Sequence, residues 1–226
     1  MDRCEIDPDL AFAINATAAE NLANEARDAN AFMVQVSTDY VFDGEKGMYS
    51  ENDKASPVNR YGQSKLEGEN AVMRTLDEGM WSIARASVVY GWGRAHRPNA
   101  ATYIYDKLSK GEGVQMVHDQ FSSPTLNTNL SAMVLEIVGR QMPGILHTAG
   151  ATRMNRYDFA LGLAKTFKLE STLISPVKSE SLHWKARRPK DSSLNVLSAQ
   201  RLLHETPIPI DKAYDELRRE HISSKS

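Results

Sequence analysis

Three residues in the first third of the chain, Thr38, Tyr61 and Lys65, could together move a proton. Tyr61 and Lys65 are four positions apart, which places them on one face of a helix. A free tyrosine, with a pKa near ~10, exchanges protons poorly at neutral pH, whereas a nearby ammonium favours the phenolate and lowers that pKa. If Thr38 hydrogen-bonds the same oxygen, the set predicts acid/base chemistry between a carbonyl and an alcohol.

The elements around these residues are predicted to bring them to one edge of a sheet. An apolar, β-branched run over 32–36 indicates a buried parallel strand, which ends on Ser37, Thr38 and Asp39. A loop follows, and a helix opens at Tyr61. Open α/β sheets carry their chemistry just beyond the carboxyl ends of the strands. We therefore expect the strand end and the helix to face one ligand.

The chain also contains a control for the tyrosine–lysine spacing. Tyr103 and Lys107 are spaced identically within a second predicted helix, but no Ser/Thr strand end stands immediately before them. We interpret them as an ordinary helix face. From spacing alone, Tyr61 and Lys65 could also be an ordinary helix face. The STDYVF segment that precedes them favours a catalytic role instead.

The rest of the chain alternates helix and strand. Helices are predicted at 8–29, 61–76, 98–110, 127–140 and 157–167, and strands at 32–37, 81–86, 114–117 and 144–150. Such alternation is typical of a parallel sheet covered by helices, which makes the fold class α/β. In the first helix, Leu10, Ile14, Leu22 and Ala26 are expected to form the buried stripe.

Composition narrows the function classes. The 226 residues are 41% hydrophobic and 25% charged, with a formal net charge of -2, which argues against a nucleic-acid or anionic-membrane binder. A single cysteine, Cys4, excludes an internal disulfide and suits a reducing cytoplasm. The six histidines have no paired ligand spacing, so no metal site is expected. A positive patch around Arg187 and Arg188 is either a solvated loop or a diphosphate site.

Four segments together, STDYVF, YGQSK, RASVVYG and DQFSSPT, resemble the extended short-chain dehydrogenase/reductases, most closely the dTDP-4-dehydrorhamnose reductase group. The resemblance implies a partial Rossmann-like parallel sheet, the C-terminal half of the nucleotide-binding fold, with a small α/β substrate-binding lobe. It implies that 1–95 form an incomplete NAD(P)-binding domain carrying the catalytic motif. Residues 96–226 would be mostly the substrate lobe, with 114–150 partly returning to the main sheet.

The same resemblance implies residue roles. Thr38, Tyr61 and Lys65 would be catalytic, and Asn15 would order a proton-relay water near the lysine. Contacts to the cofactor, NADPH or NADH, would come from Ser37, Tyr61, Lys65, Ala86 and Ser87. Contacts to a nucleotide-sugar substrate, reduced at its C4 ketone, would come from Asp39, Tyr40, Asn99, Gln120 and Arg188.

One departure from the family concerns the cofactor. The family begins with a strand and a Gly-x-x-Gly-x-x-Gly turn that binds the pyrophosphate, whereas the first glycine here is Gly44. The resemblance thus implies that the first four strands are absent and that the strand at 32–37 exposes an apolar edge. We consider three hypotheses: a fragment, a chain that works with a separate chain supplying the missing half, and a true truncation that binds ligands or partners without turnover. The exposed strand edge also suggests a homo-oligomer.

The leading hypothesis is an NAD(P)H-dependent reductase of a 4-keto nucleotide sugar. The alternative is a non-catalytic ligand-binding or regulatory homologue, such as the regulatory subunit of methionine adenosyltransferase. A nucleotide-sugar epimerase or dehydratase is a weaker alternative. Retention of Thr38, Tyr61 and Lys65 favours the enzyme, while the missing glycine turn favours the non-catalytic protein.

Overall fold

A computed structural model describes residues 1–93 and 98–223. The helices are α1 Asp2–Ile6, α2 Pro8–Phe12, α3 Ala18–Asp28, α4 Arg60–Thr75, α5 Ala100–Ser109, α6 Asn127–Arg140, α7 Arg156–Phe167, α8 Leu197–Leu202 and α9 Ile210–Ser223. The strands are β1 Met33–Thr38, β2 Trp81–Ala86, β3 Val89–Tyr90, β4 Val114–Val117, β5 Phe121–Ser122, β6 Thr125–Leu126, β7 Gly144–His147, β8 Met154–Asn155 and β9 Ile174–Val177. A π-helical turn, Ala13–Thr17, links α2 to α3, and short 3-10 turns lie at Asp39–Val41, Ser171–Leu173 and Ser179–Ser181.

The main sheet has three parallel strands in the order β1-β2-β7. Its register pairs Thr38 with Ala86, so the carboxyl ends of β1 and β2 lie side by side. On the other side of β2, Arg85 pairs with His147. The α/β class with a parallel sheet is confirmed, and the β2 and β4 bounds coincide with the predicted ones.

Helices α3 and α4 pack on this sheet through a face of small residues. Ala19, Ala23, Val72 and Ile83 form one buried cluster there. A Cβ at Gly68 of α4 would lie 2.1 Å from the Asn15 main-chain oxygen, so only glycine allows this close approach.

The predicted buried stripe of the first helix is wrong in all but one position. Leu10 is 37% exposed, and Ile14 and Leu22 are each 61% exposed, whereas Ala26 packs against the cluster. The reason is physical: close helix contact selects the alanine face, and larger side chains on the other face point away from α4.

Strand β1 is an edge of the main sheet within the described residues. It pairs only with β2 on one side, and the side chain of Val36 near its end is 43% exposed. The expectation of an apolar edge at 32–37 is therefore met by this arrangement.

A second core forms from the later elements. It buries Ile104, Leu126, Phe159, Leu163 and Leu217, contributed by helices α5, α7 and α9 together with β6. Three two-stranded sheets surround it: β3–β6 and β4–β9 are parallel, and β5–β8 is antiparallel. The predicted domain boundary between 95 and 96 lies outside the described residues. Over the described ranges, no helix combines the length and the apolar character needed to cross a bilayer.

The loop of residues 182–196 connects the two cores. Leu194 pairs with Tyr49 in an isolated parallel bridge, and the Ser192 N–H donates to the Phe121 carbonyl at 3.0 Å. The 182–196 loop thereby passes beside both the 39–49 segment and β5.

Candidate active site

The carboxyl ends of β1 and β2 open into a cleft of about 590 Å³. Thr38, Tyr61 and Lys65 all line it, so the structure brings the predicted catalytic trio together. The remaining lining residues are Met1, Val36, Ser37, Asp39, Tyr40, Ala86, Val88, Val89, Asn99, Ala100 and Arg156. A concave site of this volume is within the range of ligand-binding pockets.

The start of α4 is fixed against the end of β1. Asn59 is the N-cap, and its Oδ1 accepts a hydrogen bond from the Gly62 N–H at 2.8 Å. A Cβ at Gly62 would lie 2.1 Å from the Tyr40 main-chain oxygen. This close contact places Tyr61, one residue earlier, beside Thr38.

The pKa of Tyr61 is raised in the structure, whereas the sequence analysis predicted that Lys65 lowers it. Burial raises the pKa of Tyr61 to about 12, against a smaller lowering effect of its hydrogen bond with Thr38. Lys65 does not lower this pKa, because its Nζ donates to the main-chain oxygen of Val36 at 2.8 Å. The prediction that the lysine moves the tyrosine toward the phenolate is therefore wrong for this structure. Tyr61 is a protonated donor at neutral pH.

Thr38 is held by its neighbours. Its Oγ1 lies 3.0 Å from Asp39 Oδ1 and accepts from the Tyr40 N–H at 3.3 Å. Asp39 is 2% exposed, and burial raises the pKa of its carboxyl. The other carboxylate oxygen of Asp39 accepts from Ser87 at 2.7 Å and from Ser192 at 2.5 Å.

Asn15 lies in the π-helical turn, a distortion that often accompanies functional sites. Its Nδ2 donates to Ser64 Oγ at 3.0 Å, and Ser64 donates to the Tyr61 carbonyl at 2.9 Å. Asn15 is thus linked to the α4 turn that carries Tyr61. Its role in ordering a relay water stays a prediction.

The residues predicted to contact the cofactor separate into two groups. Ser37 and Ala86 line the cleft together with Tyr61 and Lys65. Ser87 does not line it, because its hydroxyl is buried on Asp39.

The residues predicted to contact the substrate are also divided. Tyr40 lines the cleft and packs edge-on against Tyr61, with ring centroids 6.0 Å apart. Asn99 lies at the rim, but its amide caps α5 and donates to the Gly91 carbonyl at 2.7 Å. Gln120 is buried outside the cleft lining. Arg188 stacks on Trp184, 4.0 Å from the ring centroid, and pairs with Asp2.

Arg156 is a site residue that the sequence analysis missed. As the first residue of α7 it lines the catalytic cleft, and it also lines an adjoining apolar slot of about 220 Å³. Other residues of the slot are Val88, Ala100, Tyr103, Ile104, Gln115, Met116, Val117, Ser122, Pro124, Asn155, Phe159, Leu182 and Trp184. The available signal was an arginine directly after Asn155, a residue type that favours N-caps and whose Oδ1 accepts from the Asp158 N–H at 2.8 Å.

The sequence also matches a known family. The model of the RmlD substrate binding domain matches residues 1–219. The chain belongs to this family.

Known relatives and solved structures agree with that assignment. A dTDP-4-dehydrorhamnose reductase from Bacillus anthracis, solved in complex with NADP, superposes with a TM-score of 0.90 at 27% identity, covering 97% of this chain and 76% of that one. The match confirms the resemblance to extended short-chain dehydrogenase/reductases and the Rossmann-like fold.

Two further relatives have names that describe other functions. Methionine adenosyltransferase 2 subunit beta of Xenopus tropicalis is 35% identical over 79% of this chain and 55% of its own length. The probable low-salt glycan biosynthesis reductase Agl14 of Haloferax volcanii is 32% identical over 88% of this chain and 67% of its own length. The chain thus spans little more than half of the Xenopus relative.

The cleft fits the nicotinamide end of an NAD(P) molecule. Ser37 Oγ is buried there without a hydrogen-bond partner in the described structure, and Lys65 stands at the rim. A pyrophosphate is typically held by a glycine-rich turn at a helix N-terminus, and the first glycine of this sequence is Gly44. The residues that line the cleft would contact the nicotinamide end of the cofactor.

Proposed function

We propose that this chain carries the catalytic and substrate-binding part of an NAD(P)H-dependent reductase acting on a 4-keto nucleotide sugar. The observation that carries the proposal is that the catalytic cleft and the apolar slot adjoin each other and share Val88, Ala100 and Arg156 in their linings. The predicted catalytic trio lines the cleft, and Arg156 connects the cleft to the slot.

The shape and charge of the cleft and the slot support a nucleotide sugar as the ligand. The slot, walled by Ile104, Met116 and Phe159, suits a flat base, and Arg156 stands where the slot meets the cleft. A guanidinium is the side chain best suited to phosphate oxygens. The sugar would then occupy the larger cleft, beside Tyr61.

The chemistry is assigned to residues of this chain as follows. Tyr61, protonated at neutral pH, donates its phenolic proton to the C4 oxygen as negative charge develops there. Thr38 hydrogen-bonds the same oxygen and fixes its position. A bound reduced nicotinamide supplies the hydride to C4. Ser37 and Lys65 would hold the nicotinamide end against the strand ends.

The open edge of β1 supports a partner that completes the cofactor site. Val36 near the end of this edge strand is 43% exposed, and β1 pairs with β2 on one side only within the described residues. We propose that a strand–turn–helix unit with a glycine-rich turn pairs with this edge. The chain itself is expected to bind the nucleotide sugar unaided, since the cleft and the slot are built from its own residues.

The test is cofactor oxidation by the purified chain with a dTDP-4-keto-6-deoxy sugar. We expect slow loss of nicotinamide absorbance, because the cofactor is held at one end only. Tyr61→Phe should abolish the loss. Tyr90→Phe is the matched control, since the Tyr90 hydroxyl is buried without a hydrogen-bond partner in the described structure. Absence of oxidation at the highest soluble cofactor concentration would contradict the proposal.

A second candidate function is a non-catalytic subunit that regulates another enzyme. The 35% identity to a methionine adenosyltransferase subunit favours it. Stable complex formation with a methionine adenosyltransferase, combined with no cofactor oxidation, would support this function over the reductase.

A further inference from the structure

Asp39 is a buried junction between segments that are far apart in the chain. Its Oδ1 faces the Thr38 hydroxyl at 3.0 Å, and its Oδ2 accepts from Ser87 and from Ser192, at 2.7 and 2.5 Å. Ser87 in turn accepts from the Ser123 N–H at 3.2 Å. One carboxyl thus joins the ends of β1 and β2, the β5–β6 turn and the 182–196 loop.

Both oxygens of the Asp39 carboxyl already accept or share hydrogen bonds with hydroxyl groups of the protein. The residue is 2% exposed. Asp39 and Thr38 both border the cleft, but the two oxygens of the Asp39 carboxyl already have hydrogen-bond partners within the protein. The position of Asp39 is that of a support behind the threonine.

A threonine hydroxyl has one proton, so its bonding partner decides what it can offer a substrate. An ionised Asp39 takes that proton. A protonated Asp39 donates through Oδ1 to Thr38 and leaves the threonine proton free for the cleft. In the structure the Thr38 hydroxyl donates to Oδ1, while Ser87 and Ser192 donate to Oδ2. Burial, which raises the pKa of Asp39, favours a change to the second arrangement.

The titratable groups around Asp39 are few. In its ionised form Asp39 raises the pKa of both Tyr40 and Tyr61, whereas Arg156 and Arg188 lower the pKa of Tyr40. Ser192 belongs to the same loop as Arg188 and Trp184. A shift of the 182–196 loop would therefore alter the hydrogen bond between Ser192 and the Asp39 carboxyl, and through that carboxyl the Thr38 hydroxyl.

We propose that Asp39 is a positioning residue, which sets the direction of the Thr38 hydroxyl and couples it to the 182–196 loop through Ser192. This inference rests on the proposed function and deepens it. It replaces the expectation that Asp39 contacts the sugar.

The test compares Asp39→Asn, Ser192→Ala and a control, Ser193→Ala. Ser193 is buried in the same loop and makes a similar number of hydrogen bonds, to Asp191 and from the Met48 N–H, but none to Asp39. We expect kcat to fall between about tenfold and about 100-fold in Asp39→Asn and less in Ser192→Ala, with KM for the nucleotide sugar nearly unchanged. The pH profile of kcat should change in both, and Ser193→Ala should keep the kcat and the profile of the wild type.

Two kinetic results would overturn the inference. A rise in KM at constant kcat in Asp39→Asn would make Asp39 a substrate ligand. Equal losses in all three variants would reduce its role to structural support of the loop. Ser192→Ala, the milder change, carries the test if Asp39→Asn does not fold.

A readout without turnover separates this inference from the proposed function. If the wild-type chain shows no turnover, the proposed reductase function is rejected, but the positioning role of Asp39 can still be tested. The test is the NMR signal of isotope-labelled Tyr61 Cζ, which is assigned by its loss in Tyr61→Phe. The signal should move in Asp39→Asn and Ser192→Ala and stay in Ser193→Ala, because Thr38 and Tyr61 line the same cleft and Thr38 influences the pKa of the Tyr61 phenol. An unmoved signal in the first two variants would overturn the positioning role.

Discussion

Lys65 donates from Nζ to the main-chain oxygen of Val36, 2.8 Å away, and so links α4 to the edge strand β1. Burial lowers the pKa of this lysine, with a smaller opposing effect from Glu69. In this position the lysine borders the open side of the sheet, where the cofactor is proposed to lie, and leaves Tyr61 protonated.

We expect Lys65→Met to weaken cofactor binding. The variant keeps the aliphatic stem but loses the charged donor, and a hydrogen bond to a charged group contributes about 1.5–3 kcal/mol. The dissociation constant for NADPH should rise by about tenfold to 100-fold, measured by nicotinamide fluorescence. Lys107→Met, in the matching pair on α5, is the control and should bind as the wild type does. Equal affinities in both variants would show that Lys65 does not hold the cofactor.

The pKa of Tyr61 predicts the pH dependence of reduction. With a pKa of about 12 the phenol stays protonated, so the chemical step should show no titration of Tyr61 from about pH 6 to about pH 9. Activity should be lost only as the pH approaches the tyrosine's own pKa, where the donor form disappears. Single-turnover rates measured across this pH range test whether Tyr61 stays protonated. The contradicting result is a rate that falls with rising pH near neutrality. If Tyr90→Phe keeps this fall and Lys65→Met shifts its inflection, the lysine lowers the pKa of Tyr61.

Arg156→Ala should weaken binding of the phosphates specifically. The loss of one charge-assisted contact, about 1.5–3 kcal/mol, should raise the dissociation constant of a nucleoside diphosphate by about tenfold to 100-fold and leave that of the nucleoside unchanged. Calorimetric titration with both ligands measures the difference. Arg187→Ala serves as control, since this arginine is 70% exposed and pairs with Glu45. Equal weakening of nucleoside and diphosphate would place Arg156 outside the phosphate site.

The ion pair of Glu69 and Arg85 should dominate the electrostatic stability of the main sheet. Both side chains are buried, and two hydrogen bonds of 3.0 and 2.6 Å join them. Glu69→Gln leaves the arginine charge buried without its counter-ion, and should lower the free energy of unfolding by about 3–5 kcal/mol. Glu67→Gln breaks the exposed pair with Arg74 on the same helix and should cost less than about 1 kcal/mol. Urea unfolding of both variants gives the comparison, and similar losses would contradict it.

The sequence predicted those parts of the fold that depend on local pattern. The bounds of β2, β4 and α6 follow from hydrophobic runs and turn residues, and the strand-end position of Thr38 follows from the parallel sheet. The predicted buried stripe failed at three of its four positions, Leu10 among them, because burial depends on packing. Ile14 and Leu22 have the spacing of a buried stripe, but close contact with α4 selects the alanines.

The candidate site was only partly predictable for the same reason. Spacing brings Lys65 near Tyr61, yet it does not report the burial that raises the pKa of the phenol or the Val36 carbonyl that takes the ammonium. Arg156 enters the site only through the packing of α7, and Ser192 reaches Asp39 across 153 positions. The contact between Ser192 and Asp39 leaves no local signature in the sequence, and the only local signal for Arg156 is its position directly after Asn155.

The central claim is that Tyr61 gives its proton to a ketone bound in this cleft, and Tyr61→Phe tests it most directly when rate and binding are measured together. Phenylalanine keeps the ring against Tyr40 and removes only the donor. Reduction should fall by about 10²- to 10⁴-fold, while the dissociation constant of the nucleotide sugar stays within about threefold of the wild type. A variant that reduces the ketone at the wild-type rate, or one that loses binding and rate equally, would contradict the account.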